Sequence, residues 1–176
     1  TTATASVQGM NLDMIMVKAK GGKMLMDMKV MGNSMQKVVF DGVNGKMTAQ
    51  GQTMDLPAEM KAEFANDKEL FPEVAFAKKS AIKVSGIEKI NGEDSYAIKD
   101  GSTVYYYSVA SGLKTGETKT QKMNGQDVTI PTTYGDYKAV DGVKFPYKIS
   151  QSMMGQNLDF VVSKYELNKA KDADFK

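Results

Sequence analysis

Ten glycine-containing turn signals punctuate this chain of 176 residues, at a spacing of about ten residues. They are Gly21-Gly22, Gly32-Asn33, Asp41-Gly42, Asn44-Gly45 and Asn91-Gly92, then Asp100-Gly101, Ser111-Gly112, Asn124-Gly125, Asp141-Gly142 and Gly155-Gln156. Asn-Gly and Asp-Gly supply the positive φ that a two-residue hairpin requires. A chain broken this often has no room for long helices. It has the spacing of a meandering antiparallel sheet.

The segments between the turns agree. Leu12, Met14 and Met16 alternate with Asp13, Ile15 and Val17; beyond Gly21-Gly22, Met24, Met26, Met28 and Val30 alternate with Leu25, Asp27 and Lys29. Period two puts alternate residues on opposite faces of a strand, so this hairpin carries a continuous Met face. Strands follow around Met35–Phe40 and Met47–Ala49. After Ser80 they resume with a bulge predicted at Gly86, and Tyr105, Tyr106 and Tyr107 are split between two faces. Pro131 lacks an N–H and predicts an edge or a bulge. The meander is interrupted once. Between Gln52 and Ser80, Leu56, Met60 and Phe64 recur every four residues, which predicts a helix over about 57–66, with Asp55 or Leu56 as its cap and Pro57 in its first turn. A loop or a second short helical piece is expected through Phe71-Pro72 to Phe76.

The fold expected is mainly β (α+β): an antiparallel meander of about 10–11 strands, with the helix covering one face of the sheet. No interdomain linker is visible, so residues 1–176 read as a single domain. The start, Thr1-Thr-Ala-Thr-Ala-Ser6, has neither an initiator Met nor a signal-peptide core, and is expected to be that of a processed or excised piece.

Composition closes most chemistry. Cys, His and Trp are absent, and all 23 basic residues are Lys. Ser-His-Asp and Cys-His nucleophilic sites are impossible, as are the usual nitrogen and sulfur zinc ligands. No arginine fork exists for phosphate or guanine. Catalytic residues, metal ligands and cofactor sites are therefore all expected to be none. The carboxylate clusters Glu93-Asp94 and Asp172-Ala-Asp174 read as solvated turns. Net charge is +2 with the signs interspersed, so no nucleic-acid partner is expected, and no apolar run is long enough for a transmembrane helix.

The opposite anomaly is 14 Met, eleven of them between Met10 and Met60. Met is flexible and polarizable, suiting either an irregular core or an adaptable binding surface.

Three runs then carry a resemblance. They are Tyr134-Gly-Asp-Tyr-Lys-Ala-Val-Asp-Gly-Val-Lys-Phe-Pro-Tyr-Lys148 with Tyr165-Glu-Leu-Asn168, Gly86-Ile-Glu-Lys-Ile-Asn-Gly-Glu-Asp-Ser-Tyr96 with the Tyr triplet, and Val39-Phe-Asp-Gly42 with Asn44-Gly45. Together they resemble LolA-like lipoprotein-sorting domains over nearly the whole chain, which implies a curved, incomplete β-barrel with the helix over its concave face, and an apolar cavity there whose candidate lining is Met14, Met16, Met24, Met26 and Met28, with Met60 and Phe64 from the helix. A packed core is the competing reading. The form appended to bacterial insulinase-type (pitrilysin) zinc peptidases is the more similar, through Asp141-Gly-Val-Lys-Phe-Pro146. That resemblance implies a non-catalytic accessory domain in the periplasm or envelope of a Gram-negative bacterium. Its implied partners are peptidase modules upstream in the same parent chain, and its role is packing or substrate presentation. The alternative it implies is a periplasmic carrier holding a lipid or other apolar ligand on the Met face. The family's Arg linked to lipoprotein transfer has no counterpart in a chain without Arg.

Overall fold

The turn signals become hairpins. A computed structural model describes the backbone of residues 2–7, 10–79, 82–123, 126–153 and 156–176. The signals at Asn124-Gly125 and Gly155-Gln156 fall, in whole or in part, outside the described residues. Among the described residues there are thirteen strands, more than the sequence predicts, and the chain divides into two compact units. One comprises residues 1–78, 140–143 and 162–176; the other comprises 79–139 and 144–161.

The first unit is an antiparallel meander of β1 (Thr2–Val7), β2 (Met10–Lys18), β3 (Met24–Val30), β4 (Asn33–Phe40), β5 (Gly45–Ala49) and β6 (Gln52–Asp55), each paired with the next. Two of its turns differ from the sequence reading. Between β3 and β4 the positive-φ pair is Met31 and Gly32 (φ 51° and 79°), one residue earlier than Gly32-Asn33. Between β5 and β6 it is Gln50 and Gly51 (φ 52° and 78°), a hairpin that added β6 to the count. The four-residue loop at 41–44 is held by the Asp41 carboxylate, which accepts from the N–H groups of Val43 (2.8 Å) and Asn44 (2.7 Å). Those two bonds, to the charged form, lower the Asp41 pKa below its ordinary 3.8.

After β6 comes α1 (Ala58–Asn66), whose N-cap is Pro57 rather than Asp55 or Leu56, with no side-chain capping bond. Of the loop and the short helical piece expected next, the structure has the helix, α2 (Pro72–Phe76), with proline in its first turn. Leu56, just ahead of α1, is buried and donates its N–H to the Gly45 carbonyl at 2.9 Å. A closing 3-10 turn at Asp172–Phe175 buries Phe175 and packs against β3 and β4. There Lys23 Nζ lies 5.9 Å from the Phe175 ring centre and 2.8 Å from an Asp172 oxygen.

The second unit runs through β7 (Val84–Ile90), β8 (Glu93–Asp100), β9 (Thr103–Ser108), β10 (Lys114–Met123), β11 (Gln126–Val140), β12 (Val143–Met153) and β13 (Gln156–Lys164), again each beside the next. The tip of the β11–β12 hairpin and the last residues of β13 belong to the first unit. The register of β7 shifts between Val84 and Gly86, the expected bulge, and a second shift lies between Lys114 and Gly116. Pro131 is not on an edge, since β11 lies between β10 and β12, and it stands opposite Thr118 in an unbroken β10–β11 register. Ala97 and Tyr106 are buried beside Ser95, Ser108 and Thr115, and the hydroxyls of Ser95 and Thr115 bond each other at 2.8 Å. Buried hydroxyls partnered in this way avoid the desolvation cost of an unpaired polar group. Among the described residues, neither unit's strands close into a barrel.

Candidate functional site

Strand register assembles the Met face. Met14 stands opposite Met28 and Met16 opposite Met26 across β2 and β3. On the next ladder Met26 meets Val38 and Met24 meets Phe40, and Met47 of β5 then meets Val38. All of these side chains share one face, because cross-strand partners point the same way. α1 lies on part of it. Met60, Phe64 and Ala65 pack against the buried cluster of Met24, Val38, Phe40 and Leu56, joined by Met26 and Met47. The Phe40 and Phe64 rings sit 5.7 Å apart, tilted by 55°, within the favourable range for aromatic pairs.

The seven residues singled out from sequence therefore divide. Met24, Met26, Met60 and Phe64 come together in one packed cluster, and the void beside Met24 and Phe64 is only about 10 Å³, no more than a single water needs. Met14, Met16 and Met28 continue the same face further along the strands and are half-buried. At the C-terminal end of α1, Lys18 pairs with Asp67 at 3.0 Å on the surface, and Gly21 donates its N–H to the Lys68 carbonyl at 3.2 Å. Gly22 (φ 79°) lets the helix settle there, since a Cβ would stand 2.7 Å from the Phe64 carbonyl oxygen.

Sequence reasoning missed a second concavity, an open groove of about 560 Å³ in the second unit. Thr133, Tyr134 and Gly135 of β11 form one side. Lys148, Ser150 and Ser152 of β12 form the floor, and Asn157 and Asp159 continue it on β13, where they stand opposite Ser152 and Ser150. The signal was present: these polar residues alternate with Ile149, Leu158 and Phe160. Period two alone, however, reads the same for a groove wall and for an ordinary wet face.

Behind Tyr134 lies a compact polar cluster. Lys114 Nζ is 4.9 Å from the Tyr105 ring centre and 4.7 Å from that of Tyr134, and it also pairs with Glu117. The Tyr137 hydroxyl donates to the Lys114 carbonyl at 2.6 Å. Burial first, and then the Glu117 carboxylate, hold the Tyr134 hydroxyl well above its ordinary pKa of 10.0. Among the described residues, no three acidic side chains converge to hold a metal ion.

No protein-family profile and no curated protein matches the sequence. Solved structures do. A LolA superfamily protein from Nitrosomonas europaea matches with a TM-score of 0.62 at 11% identity, covering 99% of this chain and 87% of the other. A putative outer membrane lipoprotein-sorting protein domain from Vibrio parahaemolyticus gives a TM-score of 0.60 at 12% identity, covering 99% and 86%. A DUF1329 family protein from Desulfovibrio piger gives 0.54 at 12%, covering 99% and 87%. At such identities the likeness is one of backbone alone, and on that ground the chain has a LolA-like fold.

Proposed function

We propose that this chain is a non-catalytic carrier module of the cell envelope that takes an apolar chain, such as an acyl chain, along the Met face of its first unit. The observation that carries the reading is the asymmetry of that face. Met24 and Phe40 are sealed under α1, while Met14, Met16 and Met28 extend the face as half-buried, deformable side chains. Unbranched thioether side chains conform to ligands of no fixed shape. α1 is the element that yields: it is nine residues long, too short to hold itself in water, and has no side-chain cap. Its displacement would join the sealed and half-buried parts into one apolar strip. The structural likeness to lipoprotein-sorting domains supports a carrier and an envelope location. The peptidase-accessory reading rests on the sequence motifs alone, and no observation favours it over the carrier.

Titration with a fluorescent fatty acid tests the proposal. Saturable binding is expected, and a carboxylate placed on the face (Met16→Glu or Met28→Glu) is expected to weaken it about tenfold or more, a cost of about 1.4 kcal/mol or more. No saturable binding by the unmodified protein would remove the proposal.

A further inference from the structure

The Met face is one side of β2–β6, and the charges of those strands lie almost wholly on the other. Asp13 stands opposite Lys29, Asp27 opposite Lys37 and Lys46 opposite Asp55, all turned away from the Met residues. There Asp27 and Lys29 also pair with each other at 3.5 Å. Lys18 is the one cation that shares the Met face. It stands opposite Met24 at one end of the strip, and its charge is already taken by Asp67 at 3.0 Å.

Inside this uncharged strip sits an amide. Gln36 of β4 is half-buried, with Met28 opposite it on β3 and Ala49 opposite it on β5. Among the described residues, the other neutral polar side chains of the face on these strands are Asn33 and Gln52, both exposed at hairpin ends. The Gln36 Nε2 donates to Met47 Sδ at 3.3 Å. A thioether is a weak acceptor, so an oxygen brought by a ligand would satisfy this donor better.

The surroundings decide the charge of that ligand. A carboxylate laid beside Gln36 would give up water without a cation to receive it, and an ammonium would do so without a carboxylate. The carbonyl of an ester or amide carries no such cost and accepts directly from Nε2. We propose that Gln36 holds the head of the carried molecule and selects an uncharged acyl ester or amide, whose tail runs past Met28 and Met14 to Met26 and Met16. This rests on the carrier reading and adds to it a head position and a preference.

The test is displacement of N-phenyl-1-naphthylamine, an uncharged fluorescent probe of apolar sites, from the full chain. The competitors are 1-monolauroylglycerol, laurate and dodecyltrimethylammonium, which share a tail length and differ in head charge, each kept below micelle formation. The ester is expected to displace the probe at concentrations about fivefold or more below those of either charged competitor. Gln36→Leu removes the amide and keeps a side chain of similar size. It is expected to weaken the ester about three- to tenfold, while probe affinity stays within about twofold and so reports an intact face. Gln52→Leu, at the exposed hairpin end, is expected to leave both affinities within about twofold. Equal potency of the three heads, or ester binding untouched by Gln36→Leu, would overturn this proposal and leave the carrier reading standing. No displacement by any of the three would remove both.

Discussion

Gly45 shows how tightly single positions are constrained under α1. A Cβ there would stand 2.2 Å from Leu56 Cδ1, 3.0 Å from Leu56 Cγ and 3.0 Å from a Phe40 ring carbon. Leu56 and Phe40 are both fully enclosed, so neither can step aside into solvent. Gly45→Ala is expected to cost about 1–3 kcal/mol through overpacking and to lower Tm by roughly 2–12 °C, read by thermal denaturation. Gly135→Ala is the control: with open space around its Cβ and no left-handed φ, it is expected to leave Tm within about 2 °C of the parent. The sequence marks Gly45 as half of an Asn-Gly turn. Its closer constraint is a leucine eleven residues on, which no local pattern reveals.

The elements differ in what they disclose before folding. Asn91-Gly92 and Asp141-Gly142 announce their hairpins because Asn and Asp tolerate the left-handed backbone. Met31 and Gln50 adopt the same backbone (φ 51° and 52°) without any such side-chain signal, so one turn was displaced by a residue and the other was unseen. Pro131 misled in the opposite direction, sitting inside a regular ladder. The period of the Met face was readable, whereas the point at which α1 seals it was not, because that depends on contacts between distant segments. α1 itself is expected to be the least protected element of the first unit. With no buried residue and no side-chain cap, its amides should exchange faster than those of β3 and β4 by about tenfold or more in native-state hydrogen exchange. Equal protection of the three elements would argue against a yielding helix.

At the scale of the molecule, the first unit depends on residues from the far end of the chain. Val162 is buried within it, and the turn at Asp172–Phe175 brings Phe175 against β3 and β4. Phe175→Ala is expected to destabilise this unit by about 3–5 kcal/mol. Amide exchange should show the loss in β3 and β4 while β8 and β9 keep their protection. That split would not appear if the substitution acted on both units alike. The same interleaving sets an order in time. The last residue of the second unit is 161, whereas the first unit needs residues up to 176. On a ribosome the unit begun first is therefore completed last. For about 5–20 s at ordinary elongation rates, the Met-rich strands exist without the segment that finishes their core.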